Sequence, residues 1–169
     1  MFDKDYNIKG KHATFTKFLK DTANVFDRYM DVYMLGAILG LLNGRLEPED
    51  NTNKDDAEIP FSVFHKEKMK CEFIYRMIML LDETTKLTLE QRTDRAFRED
   101  TNEQAMVKNM ELFNSYVRGG IEYLYEKFSE DCVTEDDYLN KVYEFVNRFK
   151  FDVQGESYDD LIQNIITKM

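Results

Sequence analysis

The side chains of this sequence best suited to chemistry are His12 and His65, Cys71 and Cys132, and the carboxylates from Asp50 to Asp56. A zinc site built on imidazoles needs an HExxH, HxH or similar spacing, so that two ring nitrogens converge on one ion. Neither histidine has such a partner, and both read as surface or helix-start residues. The Glu-x-x-His pair of di-iron bundles is missing as well. Asp50-Asn51-Thr52-Asn53-Lys54-Asp55-Asp56 has a superficial likeness to a calcium loop. An EF-hand requires glycine at its sixth position and glutamate at its twelfth. Counted from Asn51 those places hold Asp56 and Ser62, and counted from Asp50 they hold Asp55 and Phe61. The segment therefore reads as a solvated acidic loop. Cys71 and Cys132 form neither a CxxC pair nor a zinc pattern, and read as reduced thiols. No GxxxxGK[ST], GxGxxG or GxSxG is present to cradle a phosphate or raise a serine nucleophile. The expectation is a protein with no catalytic residues, no metal and no cofactor, which is not an enzyme.

Charge points the same way. The net charge is −10, whereas a protein that neutralises nucleic-acid phosphates needs a basic face. The densest basic stretch, Lys4, Lys9, Lys11, Lys17 and Lys20, is interrupted by Asp3, Asp5 and Asp21 and reads as solvated surface. Direct nucleic-acid binding is disfavoured. The N-terminus has no apolar core followed by a small-residue cleavage site. The apolar run from Val32 to Leu42 spans 11 residues, about half of what crosses a bilayer. A cytoplasmic protein with no membrane segment is expected.

The elements that must carry these residues are helical. With 169 residues, 43% of them hydrophobic, the chain can bury one core without staples, and it reads as a single domain over 1–169. Apolar spacing predicts a first helix from about Thr14 to Tyr29 and a second from Asp31 to Asn43. Asp31 suits the first turn of that second helix and Gly44 suits the residue after its end. The second helix is apolar nearly all round, so it should be central. The two prolines, Pro48 and Pro60, bracket an acidic surface loop at about 45–61. A third helix is expected from near Ser62 to Asp82, with Cys71, Ile74, Tyr75, Ile78 and Leu81 as its stripe and Phe73, Met77 and Leu80 beside it. Thr88 and Gln91 have capping-box spacing and open a short helix to Phe97. Thr101 and Gln104 repeat the spacing and open the longest helix, to Phe128. Thr134 starts another, with Phe149 to Val153 as a short extended link and Ser157 capping a last helix that carries Leu161, Ile162, Ile165 and Ile166. No strand stands out. The fold class is all-α, six or seven helices around a central Gly-rich apolar helix.

Two glycine groups are unusual. Gly36, Gly40 and Gly44 fall on one face of the second helix, and Gly119-Gly120 interrupts the longest one. Each glycine costs about 1 kcal/mol of helix propensity against alanine, so something must offset it. One reading is that Gly119 and Gly120 make room for Gly36 and Gly40, or kink the helix. The other is that the opened backbone presents Arg118 to a partner. Arg45, which follows the central helix, is the second candidate anchor.

The blocks Asp31-Val32-Tyr33-Met34-Leu35-Gly36-Ala37-Ile38-Leu39-Gly40-Leu41 and Phe113-Asn114-Ser115-Tyr116-Val117-Arg118-Gly119-Gly120-Ile121-Glu122-Tyr123-Leu124 resemble small helical proteins associated with the Dnd (DNA phosphorothioation) system. The resemblance covers about 25 residues, and this chain has Val117-Arg118 where small and polar residues are more usual. It implies an accessory protein of a prokaryotic defence or mobile-element locus, with no activity and no catalytic residues to carry over. Together these readings describe a non-catalytic adaptor that binds a larger protein, an ATPase or nuclease of the same locus, through Arg45, Arg118, Gly119 and Gly120. The rival reading is an acidic inhibitor that mimics DNA. The sequence leaves homo-oligomerisation open.

Overall fold

The structure, a computed structural model, describes residues 1–99 and 102–154. The chain divides into two compact units, Met1–Glu130 and Asp131 onward. It is mostly helical, with seven α-helices and one two-stranded sheet among the described residues. Helix α1 is Gly10–Lys17, α2 Tyr29–Leu42, α3 Phe61–Lys66, α4 Lys68–Leu81, α5 Leu89–Phe97, α6 Glu103–Ser129 and α7 Glu135–Gln154. Strands β1 (Tyr6–Lys9) and β2 (Asp56–Ile59) pair antiparallel with Ile8 opposite Ala57.

The first unit is organised by α2 and α6. A methyl group placed on Gly120 would lie 1.8 Å from the carbonyl oxygen of Gly36, and one on Gly40 would lie 2.0 Å from that of Tyr116. At Gly119 it would meet the carbonyl of Arg45 at 2.2 Å. The two glycine groups are therefore answers to each other: backbone rests on backbone where any side chain would push the helices apart. Gly44 lies one residue past the helix-ending Asn43 with φ +61, as expected of that position.

Beside this contact lies an aromatic cluster. Tyr33 packs on Phe64 and Phe113 at 5.5 and 5.8 Å between ring centres, and Phe2 stacks on Phe64 at 5.5 Å. The buried Tyr33 hydroxyl donates to Asn114 Oδ1 at 2.9 Å, so the ring brings no unsatisfied polar atom into the core. A second knot joins α4, α5 and α6. The buried Asp82 carboxylate accepts from Tyr116 (2.7 Å), Thr84 (2.6 Å), Thr85 (2.9 Å) and Arg95 (3.0 Å). Burial alone would raise its pKa. The hydrogen bonds from Thr84, Tyr116, Thr85 and Arg95 outweigh burial and hold it at about 2.

Several boundaries differ from those read in the sequence. The first helix begins at Gly10, widens into a π-helical turn at Phe18–Thr22 and stops where Asn24 takes a φ of +51, so it does not run from Thr14 to Tyr29. Its start is set by tertiary contact: Asp50 accepts from the Lys11 amide at 2.6 Å, and Gly10, φ +62, leaves no room for a side chain against that carboxylate. The helix expected from Ser62 to Asp82 is two, α3 and α4, offset at Glu67. Within α4, Leu81 and Phe73 are exposed, and Met79 takes the buried place. The acidic segment is not simply a solvated loop: its end is β2, with Ala57 and Ile59 buried. The capping box at Thr88 forms as expected, with Gln91 answering the Thr88 amide. The N-cap of α6 is Asn102, whose side chain accepts from the Ala105 amide; Thr101 lies outside the described residues.

In the second unit, Asp137 accepts from the Val133 and Thr134 amides and fixes the start of α7 at Thr134 as read. Residues 149–153, expected to be an extended link, continue that helix. The helix expected after Ser157 lies outside the described residues.

Gly120→Ala tests the backbone contact. Propensity alone favours alanine by about 1 kcal/mol, whereas the clash with the Gly36 carbonyl requires the helices to separate. The variant should lose at least about 2 kcal/mol in urea melts. An unchanged or raised midpoint would show that the two helices are not held this close.

Candidate protein-docking site

Helix α2 has two apolar faces. Tyr33, Gly36, Ala37 and Gly40 fall at i, i+3, i+4 and i+7 and lie buried, with the glycines on α6. The opposite stripe, Asp31, Met34, Leu35 and Ile38, has the same spacing and is only partly covered. It forms one wall of a groove whose other wall is Met69, Lys70, Phe73 and Ile74 of α4, with Phe26 at the edge. The all-round apolarity of α2 thus serves two faces: a helix seated backbone-to-backbone on one neighbour can leave its other face open.

The groove encloses about 610 Å³. Met69 is 86% exposed and Phe73 is 69% exposed, while Ile74 is buried. Large exposed apolar side chains grouped on one face mark interaction sites. A small-molecule site would carry a few convergent polar groups in its lining; here the polar side chains are Asp31 and Lys70 alone. An ionic clasp lies nearby. Arg28, preceding α2, donates to Asp31 and to Glu67 at 2.9 Å, and Lys70 meets Glu67 at 2.7 Å. Lys70 first and Arg28 second hold the Glu67 carboxyl below its usual pKa.

The anchors read from the sequence are brought together, but as packing. Arg118 is 3% exposed. Its Nε donates to the Glu47 carbonyl at 2.7 Å and Nη2 to Glu111 at 2.5 Å. It also lies beside Tyr6, whose phenol burial pushes up to about 12. Gly119 and Gly120 are buried against Arg45 and Gly36. The double glycine therefore encloses Arg118 instead of presenting it. Arg45 is the accessible member. It pairs with Glu126 at 2.7 Å and stacks over Tyr123 at 5.2 Å.

The N-terminal lysines also have partners. Lys9 meets Glu49 at 3.0 Å, Lys11 meets Glu122 at 2.5 Å and Glu47 at 3.8 Å, and Lys17 pairs with Asp55. The basic stretch and the acidic segment thus neutralise each other. His12 is fully buried behind them, with Nε2 3.0 Å from Glu122 and Nδ1 without a hydrogen-bond partner. The surface or helix-start place that the sequence suggests for His12 is corrected: it is buried near the start of α1. Cys71 is buried, and its thiol is pushed up to about 12 by burial. Among the described residues no group of His, Cys, Asp and Glu is placed to hold a metal ion, and no helix is long and apolar enough to cross a membrane.

Sequence reasoning did not find the groove. Apolar spacing places Phe73 beside the core stripe of its helix, one position off the buried set Cys71, Ile74, Tyr75 and Ile78. The available signal was the all-round apolarity of α2, which supplies two faces.

Burial sets a pH dependence. Desolvation lowers the His12 pKa below 6.5, against the pull of Glu122 and with Lys11 and Arg118 nearby. A folded-state pKa below the unfolded one means stability that is complete above about pH 6.5 and falls as pH drops below it. The slope cannot exceed about 1.4 kcal/mol per pH unit. Urea melts between pH 8 and 5 should show this loss, and His12→Gln should flatten it. Replacement of the arginines separates their roles. Arg118→Ala leaves the Glu47 carbonyl orphaned and should lower Tm by at least about 5 °C, while Arg45→Ala removes an exposed pair and should move it by less than about 2 °C. Equal shifts would contradict the assignment.

A family model described as DNA sulphur modification system-associated protein 4 matches residues 8–164. No curated protein and no solved structure matches the chain. The match covers most of the sequence, and the chain belongs to this family.

Proposed function

We propose, from that family membership, that the protein is a non-catalytic accessory subunit that binds a larger protein of its Dnd locus, an ATPase or a nuclease. The observation that supports this most directly is the α2/α4 groove, where Met69 and Phe73 stand exposed on a rigid helical frame. Aromatic and methionine side chains are enriched in protein interfaces, and their grouping here gives a partner a few large anchors to cover. Arg45 with Tyr123 supplies a second, smaller cation–aromatic surface on the α6 side. The buried Arg118, Gly119 and Gly120 contribute by holding Arg45 in place.

The DNA-mimic alternative would need carboxylates free to stand where phosphates do. Glu47, Glu49 and Asp55 are each committed to a lysine of the N-terminal segment. Their charge is largely answered within the molecule, which favours the adaptor reading.

The test is co-expression with the other proteins of the locus and purification through a tag on this chain. Wild type should retain one of them. Phe73→Asp combined with Met69→Asp should weaken capture at least tenfold, since hot-spot truncation costs 2 kcal/mol or more. Tm should move little, because both side chains are exposed. Failure of wild type to retain any locus protein would overturn the proposal.

A further inference from the structure

We infer that the occupant of the α2/α4 groove is an amphipathic α-helix of the partner protein, with acidic residues flanking its apolar face. The inference rests on the accessory-subunit reading and adds what the partner must present. The first ground is the nature of the walls. Both are α-helices whose main-chain groups are bonded within the helix. They offer no sheet edge, so an extended segment would find no partners for its own amides and carbonyls. A helix satisfies its backbone internally and brings only side chains. The walls accept that form: Met34, Leu35 and Ile38 on one side and Met69, Phe73 and Ile74 on the other are all apolar and follow helical spacing.

The second ground is charge. The chain as a whole is acidic, at −10, yet the approach to Met69 is basic. Lys66, Lys68 and Lys70 stand exposed within five positions, and with Arg28 they set four cations against the three carboxylates Asp31, Glu67 and Glu72. Glu67 is already shared between Arg28 and Lys70. Lys68 and Lys70, with side chains 55% and 68% exposed, flank the most exposed apolar residue of the groove, Lys68 reaching Glu72 at 3.7 Å and Lys70 reaching Glu67. An apolar anchor seated at Met69 therefore has an ammonium group on either side, each more than half exposed beyond its one intramolecular carboxylate, and carboxylates beside that anchor would share them. A second copy of this chain is a poorer fit. A two-fold contact centred on Met69 and Phe73 would bring the lysines of one copy against those of the other, and like charges so placed oppose association. Methionine on both walls suits a partner surface that must be gripped along its length, since thioether chains adjust to irregular shapes.

The experiment is site-specific photo-crosslinking in the full-length protein, co-expressed with the locus proteins. Phe73 is replaced by p-benzoylphenylalanine, and the crosslinked peptide is sequenced by mass spectrometry. The expected product joins position 73 to a partner segment with apolar residues at i, i+3, i+4 and i+7 and aspartate or glutamate on its flanks. A synthetic peptide of that segment should bind wild type, gain helical circular dichroism on binding, and lose roughly tenfold in affinity to Lys68→Glu combined with Lys70→Glu. A crosslink between two copies of this chain, to an extended segment, or to a basic segment overturns the inference. So does a peptide indifferent to the lysine reversal. Retention of a locus protein without any crosslink at position 73 also overturns the inference and leaves the accessory role standing, whereas no retained locus protein removes the accessory role itself.

Discussion

Where Gly36 meets Gly120 and Gly40 meets Tyr116, two helix backbones touch without side chains between them. Most of the first unit follows from that approach. It places Tyr33 and Phe113 within 5.8 Å and lets the Tyr33 hydroxyl reach Asn114. It sets the carbonyl of Arg45 against Gly119, which in turn brings the Glu47 carbonyl onto the Arg118 guanidinium and the Glu47 amide onto Ser115. The chain leaving α2 is therefore held over α6 for several residues. Four glycines in two helices cost roughly 4 kcal/mol of propensity, and close dispersion contact along both backbones together with the buried aromatic cluster offset it. The same contact explains why α2 can be apolar on two faces. Seated by its backbone on α6, it keeps Met34, Leu35 and Ile38 for the groove.

Charge is distributed by pairing more than by spreading. The acidic segment after α2 folds back on the N-terminal lysines and on the amide of Lys11, and then becomes the second strand of the sheet. This ties the chain ends of α1 and α2 together and leaves the lysines at the head of α4 as an exposed basic group beside an apolar groove. A protein with a net charge of −10 thus offers one face whose chemistry is apolar with a basic border. Such a face suits the proposed helix from another protein better than it suits a nucleic acid, and the chain belongs to a family associated with DNA sulphur modification.

Much of the fold was legible because its signals are local. Glycines four apart, the Thr88 and Gln91 cap and Gly44 after its helix each act within a few residues. The reciprocal glycine packing was legible too, as one of two readings of Gly119-Gly120. What stayed hidden depends on distant residues. The start of α1 is set by Asp50, 39 positions away, and the strands are four residues long with Asn7 and Lys9 between their apolar places. Arg118 looked like a surface anchor because nothing nearby in sequence announces Glu47 as its partner. Phe73 looked like core because periodicity cannot tell a stripe facing a neighbour from one facing an open groove. The groove was thus concealed by the same apolar pattern that revealed the helices.

The most direct measurement of the central claim is native-state hydrogen exchange of the amides in α2 and α6. If backbone contact through the glycines joins these helices into one cooperative unit, the amides around Gly36 to Gly40 and those around Val117 to Ile121 should share the highest protection in the molecule. Their opening free energy should equal that of global unfolding measured by denaturant. Exchange of α2 through an opening of clearly lower free energy, while α6 keeps its full protection, would contradict the account.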